Sequence, residues 1–229
     1  MKKIVVLTGA GISAESGIKT FRDADGLWEG HDIFEVATPE GFAKNPLLVL
    51  EFYNQRRKQL LEVSPNKAHY NIAALEKNFC VDIITQNVDD LHERAKSSKI
   101  IHLHGELLKV RSSIDEQEIL TWKKDLTIGD LCSKKSQLRP HIVWFGEMVP
   151  LLDTAIEITK KADILVIIGT SMQVYPAASL IHYIKPKTPI YFIDPKPSVQ
   201  KNDFDNLTII KDNAINGTST LLKLLNKKV

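Results

Sequence analysis

The sequence predicts an α/β chain: a Rossmann-like parallel sheet with helices on both faces, plus a small inserted lobe. Continuous apolar runs bounded by turn residues recur at IVVLTG (4–9), VDIIT (81–85), ILVIIG (164–169) and IYFID (190–194). Short runs of this kind, apolar on both faces, suit strands buried inside a parallel sheet. Longer helix-like segments alternate with them, as crossover connections require. Between His104 and Arg139 the character changes to short charged pieces without a period of either kind, RSSIDEQEIL and KKDLTIGDLCSKKSQ. That stretch is expected to form the inserted lobe.

Taken in order, the first strand, 4–8, runs into the turn Thr8-Gly9-Ala10-Gly11-Ile12-Ser13 and then a helix start, with Gly17 beyond. Helices are expected over 46–61, 65–76, 151–161 and 176–184, three of them opening on proline, which the first helical turn accepts. A strand-like piece covers 99–103, and an amphipathic helix over 215–226 closes the chain. The expectation is one catalytic domain over 1–229, with a large lobe from about 1–30, 78–104 and 140–229 and a small lobe from about 31–77, helical, and 105–139. Reading along the chain finds no internal repeat or low-complexity segment.

The chain has 229 residues, 43% hydrophobic and 25% charged, an ordinary globular balance that excludes disordered and fibrous classes. Thirty basic against 28 acidic side chains give a net charge of +2, too even for the broad basic surface of a general nucleic-acid binder. Two cysteines in unlike settings, Cys80 in FCVDII and Cys132 in DLCSKKS, make no disulfide framework and fit a reducing cytoplasm. The start MKKIVVLTGA has an apolar run too short for a signal peptide, and no stretch approaches the ~18 apolar residues of a membrane span. The expectation is a cytoplasmic monomer with neither nucleic acid nor membrane as partner.

Glycines after a buried strand let the backbone approach a pyrophosphate, and a helix N-terminus adds unpaired N–H groups. The same G-x-G also reads as a tight strand-to-helix turn that binds nothing. No strand with a terminal acidic residue follows at the ~20-residue spacing a dehydrogenase uses for its ribose, so that class is the least favoured. Instead the turn continues into Gly17-Ile18-Lys19-Thr20-Phe21-Arg22-Asp23, a polar loop suited to cover the far end of a nucleotide. Downstream, the strand 81–85 ends in Gln86-Asn87-Val88-Asp89, where amide and carboxylate groups can hold a carboxamide and ribose hydroxyls; Asn87 or Asp89 could equally cap a short helix.

These blocks carry a resemblance. GAGISAESGIKTFRDADGLW (9–28) resembles the opening signature of the sirtuins, NAD-dependent protein-lysine deacylases. TQNVDDLH (85–92), HLHGE (102–106), RPHIVWFGE (139–147) and GTSMQVYPAA (169–178) resemble the family's other blocks, in the family's order and across nearly the whole chain. The closest resemblance is to the short bacterial deacylases that also remove acidic acyl groups.

The resemblance implies NAD as a consumed co-substrate, and it implies which residues hold it. In the first block these are Gly9, Ala10, Gly11, Ile12, Ala14, Glu15, Thr20, Phe21, Arg22 and Trp28. Asn87 and Asp89 would face the nicotinamide end beside Val88, with Gln86 at the adjoining ribose. Gly169, Thr170 and Ser171 would meet the phosphates and adenosine ribose, Asp194, Pro195 and Lys196 the same ribose, and Ala214 the adenine. Asp194 stands where the family usually has asparagine. His104 would be the general base, acting on a ribose hydroxyl, with His102 on the other face of its strand. The products would be nicotinamide, O-acyl-ADP-ribose and free lysine.

Val143, Phe145 and Gly146 on one side, and Val174 and Tyr175 on the other, would be the edges between which a substrate peptide adds as a strand; core packing is the alternative for Trp144 and Phe145. Tyr53 and Arg56, three apart on the helix 46–61, share one face. Similar Y-x-x-R pairs mark the sirtuins that remove succinyl and malonyl groups, although Arg56, Arg57 and Lys58 also read as a solvated basic face. Sirtuins usually carry two C-x-x-C pairs for zinc, and Val110-Arg111-Ser112-Ser113 stands where the first should be, with Cys132 the single remnant of the second. The lobe is expected to hold no metal and to rest on Ile114, Ile119, Leu120, Trp122, Leu126 and Ile128. Two other activities share the NAD site: protein ADP-ribosyl transfer, and NAD sensing without turnover.

Overall fold

The computed structural model describes residues 1–19, 27–28 as backbone, and 30–226. Its centre is a six-stranded sheet in the order β11-β10-β9-β1-β4-β5, every pairing parallel. The strands are β1 (Lys3–Thr8), β4 (Cys80–Thr85), β5 (Ile100–His102), β9 (Ile164–Ile168), β10 (Ile190–Ile193) and β11 (Leu207–Ile210). All four apolar runs are strands. Strand β11 was not foreseen: as an edge strand it exposes Thr208 and half-exposes Ile209 and Ile210, so it carries no continuous apolar run.

Alternation within each run sends side chains to two different cores. Ile4 and Val6 join Val81, Ile83, Val166 and Ile168 beneath helices α4 (Lys67–Ala74) and α7 (Ala214–Asn226), which bring Ala68, Ile72, Leu221 and Leu225. Val5 and Leu7 join Ile84, Leu165 and Ile167 on the opposite face, beneath α6 (Leu152–Thr159) and the 3-10 segment Ala177–Tyr183. The helix expected over 176–184 is thus a 3-10 helix. Helix α4, in a stretch assigned to the small lobe, packs on the large sheet beside α7 instead, because its apolar face matches that core.

The small lobe is built on α3 (Pro46–Glu62), which starts at an Asn45 cap with Pro46 in its first turn. It packs with α1 (Ile33–Val36) and α2 (Pro39–Lys44) against a second sheet, β7-β6-β8, made of β6 (Gly105–Ser112), β7 (Ile119–Thr121) and β8 (Leu138–Ile142). A short ribbon pairs β2 (Leu27–Trp28) with β3 (His31–Asp32). A single-turn helix, α5 (Leu91–Arg94), follows β4.

The apolar residues expected to hold the inserted lobe do so only in part. Leu126 is buried and Trp122 half-buried, but Ile114, Ile119, Leu120 and Ile128 are exposed. β7 is a short edge strand with both faces in solvent, which leaves its side chains nothing to pack on. The lobe's core is instead Val110, Leu126, Cys132 and Leu138 against Leu50 of α3. Hydrogen bonds add to it: the Asn54 amide donates to the Leu126 carbonyl and accepts from the Leu126 N–H, at 3.0 and 2.8 Å. No described helix is long and apolar enough to cross a membrane.

Candidate active site

Strand β1 pairs with β4 on one side and β9 on the other, so the strand order reverses beside it. In open parallel sheets the crevice at the carboxyl ends of such strands is where ligands bind. Here the two glycine turns meet. The Gly9 and Gly11 N–H groups donate to the carbonyls of Ile168 and Gly169, at 3.0 and 2.9 Å. A Cβ on Gly11 would stand 2.5 Å from the Gly169 Cα, and one on Gly169 2.5 Å from the Ile12 nitrogen. Gly169 also has φ +62°, the left-handed region. The glycines are therefore required by the contact between the turns themselves. The α-helix expected after the first turn is absent from the described residues; two 3-10 turns, Ala10–Ile12 and Ala14–Ser16, end at left-handed Gly17.

Beneath this junction the buried Ser13 hydroxyl is a hub. The Asn87 side-chain amide donates to it at 3.1 Å, and it donates to the Asp89 carboxylate at 2.9 Å. Asp89 also accepts from the Leu91 N–H at 3.1 Å at the start of α5, so the capping reading of this residue holds. Burial raises the Asp89 pKa, and the Leu91 N–H and Ser13 bonds act against it. The sequence signal for Ser13 is a hydroxyl two residues after G-x-G in a chain that also carries Q-N-x-D. Its partners lie more than seventy residues away.

Gln86 ties three loops together. Its amide donates to the Thr170 hydroxyl at 3.1 Å, its N–H to the Thr8 carbonyl at 2.9 Å, and its carbonyl lies 3.1 Å from His104 Nδ1. A carbonyl only accepts, so Nδ1 carries the ring proton and Nε2 keeps its lone pair. Burial lowers the His104 pKa, only partly offset by the Gln86 bond. Left-handed Gly105 follows, and a Cβ there would collide with the His141 carbonyl at 2.1 Å. His102 points elsewhere: its Nδ1 meets the Asn87 carbonyl at 3.0 Å and its Nε2 meets Glu93 at 2.7 Å. Burial works against charge on that ring, but Glu93 and Asn87 outweigh it and the pKa is raised.

Other expected residues spread around this centre. Val88 gives its carbonyl to the Leu107 N–H at 2.8 Å. Glu15 accepts from the Ile215 N–H at 3.0 Å, at the start of α7. Buried Asp194 accepts from the Lys196 N–H at 2.8 Å, which folds Asp194-Pro195-Lys196 into a turn. Ala10 and Ser171 are half-buried, Ala14 is exposed, and Ala214 is buried at the start of α7. Thr20, Phe21 and Arg22 lie outside the described residues, as does the side chain of Trp28.

Among the residues expected at the peptide edges, the Val143 N–H donates to the His104 carbonyl and the Phe145 N–H to the Ala37 carbonyl, each at 2.9 Å. Val143 is half-buried, Phe145 and left-handed Gly146 are exposed, and Trp144 between them is buried. Val174 is half-buried and Tyr175 exposed, ahead of a cis bond to Pro176. The basic run on α3 divides into three fates. Lys58 is exposed and paired with Asp125 at 3.1 Å, whereas Arg57 is buried, donating to the Leu107 carbonyl and Asn54 at 3.2 and 2.7 Å. The guanidinium of half-buried Arg56 lies 4.4 Å over the Phe52 ring, and burial pushes the neighbouring Tyr53 hydroxyl pKa well up. The solvated-face reading therefore fails for Arg57, whose guanidinium joins α3 to β6.

The zinc-pair positions still converge. Ser112 hydrogen-bonds Cys132 and lowers its pKa, the Ser136 N–H donates to Cys132 Sγ at 3.3 Å, and the Ser113 and Ser136 hydroxyls are 2.5 Å apart. One thiol among hydroxyls does not fit zinc, which takes four thiolate, imidazole or carboxylate ligands. Among the described residues no group of three His, Cys, Asp or Glu could hold a metal ion.

Residues 9–176 match the Sir2 family. The chain is 62% identical over 227 residues to a Helicobacter pylori protein named NAD-dependent protein deacylase, the match covering 98% of each. It is similar to the crystal structure of a Sir2 homologue–NAD complex, with TM-score 0.88 and 40% identity over 99% of this chain and 90% of that one. A structure of Sir2 bound to acetylated peptide gives TM-score 0.80 and 27% identity, over 97% and 93%. With the family model matched over residues 9–176 and a relative 62% identical over 98% of the chain, the chain belongs to the Sir2 family.

Proposed function

We propose that this chain is an NAD-dependent protein-lysine deacylase, removing acetyl and also succinyl and malonyl groups to give nicotinamide, O-acyl-ADP-ribose and free lysine. One observation carries the reading: the Asn87–Ser13–Asp89 chain and a neutral His104 of fixed tautomer lie together at the switch point of the sheet. NAD supplies an activated glycosidic bond, whose cleavage drives loss of the acyl group.

The protein's own residues bind, orient and move a proton. Ser13 engages one N–H of the Asn87 amide, and the rest of that amide suits the carboxamide of nicotinamide. Gln86, braced by Thr170, is assigned to the adjoining ribose, and the interlocked turns at Gly9 to Ile12 and Gly169 to Ser171 to the phosphates. His104 Nε2 takes a proton from a ribose hydroxyl, and Nδ1–H bonded to Gln86 keeps the ring turned to do so. Val143 and Gly146 face Val174 and Tyr175 across an extended peptide held by backbone bonds. Tyr53 and Arg56 receive the carboxylate of an acidic acyl chain. The relative named a deacylase at 62% identity and the likeness to a peptide-bound Sir2 support this assignment.

The test is incubation of the purified protein with NAD and acetyl-lysine or succinyl-lysine peptides. Free lysine and nicotinamide should appear in equal amounts. ADP-ribose attached to unmodified protein would favour the transferase, and NAD left intact would favour the sensor.

A further inference from the structure

Trp144 and Tyr53 meet through one hydrogen bond whose direction is set by their chemistry. The Trp144 indole nitrogen lies 2.9 Å from the Tyr53 oxygen. An indole N–H donates and never accepts. The Tyr53 oxygen is therefore the acceptor, and the phenol's own proton is directed away from Trp144. Burial pushes the Tyr53 pKa well up, opposed by the Trp144 bond, so the hydroxyl keeps its proton at any working pH.

Trp144 is itself held on several sides. The Arg139 guanidinium stacks 3.4 Å over its ring, and the Phe42 ring lies 5.3 Å away. Its backbone N–H donates to the Glu147 carboxylate at 2.8 Å. That carboxylate takes two bonds from Arg139, at 2.7 and 3.0 Å, and one from Arg111 at 3.0 Å. The stretch from Arg139 to Glu147 thus closes on the indole and leaves it one orientation, with its N–H on Tyr53.

We propose, resting on the reading that Tyr53 and Arg56 receive an acyl carboxylate, that Trp144 is a positioning residue for acyl specificity. Its N–H occupies one acceptor site of the Tyr53 hydroxyl and turns the O–H proton away from Trp144, orienting it to donate to an anionic acyl end. A carboxylate has lone pairs to take such a bond, whereas the methyl end of an acetyl group has none. Val143 and Phe145 are thereby assigned to the peptide, and the inward residue between them to the choice of acyl group.

The test measures kcat/KM at saturating NAD on succinyl-lysine and acetyl-lysine peptides of one sequence. The proteins are the wild type, Trp144→Phe, Tyr53→Phe, the double variant and Arg56→Met. Trp144→Phe should lower the succinyl-to-acetyl ratio by about threefold to tenfold, the size of one hydrogen bond. The double variant should fall no lower in ratio than Tyr53→Phe alone, because Trp144 acts through the tyrosine. An unchanged ratio in Trp144→Phe, with a lowered ratio in Arg56→Met, overturns the role of Trp144 and leaves the acidic pocket standing. An unchanged ratio in both overturns the pocket itself. Should Trp144→Phe fail to fold, 3-benzothienylalanine at position 144 keeps the bicyclic shape without the N–H, and the same ratio decides.

Discussion

The His104 Nδ1 atom lies 3.1 Å from the carbonyl oxygen of Gln86, so the ring proton is on Nδ1 and Nε2 keeps its lone pair. His104→Ala is predicted to remove most deacylation, because base catalysis of this kind typically contributes ~10²–10⁴-fold. NAD affinity should stay within about tenfold, since the proposed role of the group is to take a proton from a hydroxyl rather than to bind NAD. Burial lowers its pKa, so the acid limb of the kcat/KM profile should fall below the usual histidine value. Normal turnover in the alanine variant, measured with acetyl-lysine peptide, would remove His104 from the mechanism.

The large sheet was legible because burial on both faces leaves an unbroken apolar run, as in ILVIIG, and few other structures write that pattern. Individual site residues were legible where they end such a run, as Gln86 and Asn87 do after Thr85. The scaffold around them was not. Asn66 donates to the Ile12 carbonyl at 2.8 Å and to the Ser16 hydroxyl at 3.0 Å, and so braces the first glycine turn from a distant helix start. Hydrogen bonds between segments fifty or more residues apart leave no periodic trace. Arg57 shows the same limit: beside Arg56 and Lys58 it looks solvated, and only the crossing of α3 over β6 buries it.

A second buried pair gives a stability prediction. His69 and His92 stack edge to face, ring centroids 5.0 Å apart, and the His92 Nε2 lies 3.2 Å from the Thr8 hydroxyl at the end of β1. Burial lowers the His69 pKa to about 4 and drives that of His92 well below the usual value. As pH falls, the unfolded chain takes up these protons first. The stability linked to them is complete above about 6.5 and is lost as pH drops toward 4, on the order of 3 kcal/mol for His69. His102, whose pKa is raised, works in the opposite sense. Urea unfolding at pH 7 and pH 5 should show a smaller pH effect in His69→Phe than in the wild type. Equal effects would mean that His69 is not held neutral.

The Cys132 cluster predicts metal independence. Cys132 meets the Ser112 hydroxyl and the Ser136 N–H, with the Ser113 and Ser136 hydroxyls bonded to each other nearby, and that set binds zinc too weakly to fold a lobe. Elemental analysis of the purified protein should find no stoichiometric zinc, and a strong chelator should leave Tm unchanged. About one zinc per chain, or a Tm that falls with chelation, would overturn this.

The final prediction concerns Arg56. On α3 it stands three residues beyond Tyr53, about one turn, so the two lie on neighbouring positions of one helix face. A guanidinium can grip a carboxylate through two parallel N–H bonds, which a neutral acetyl group cannot match. Its neighbours narrow the choice of residue to test. Arg57 is committed to Leu107 and Asn54, and Lys58 pairs with Asp125 on the surface, so neither can supply this grip. Charge-assisted hydrogen bonds contribute ~1.5–3 kcal/mol each, enough to decide substrate preference. Arg56→Met keeps an unbranched apolar side chain and removes the guanidinium that lies over Phe52, so it should lower desuccinylation efficiency by at least about tenfold, ~1.4 kcal/mol, with a much smaller effect on deacetylation. The measurement is kcat/KM on paired peptides differing only in the acyl group. Equal losses on both would indicate a general effect on folding or on the NAD site, and no loss on either would leave Arg56 outside the acyl pocket.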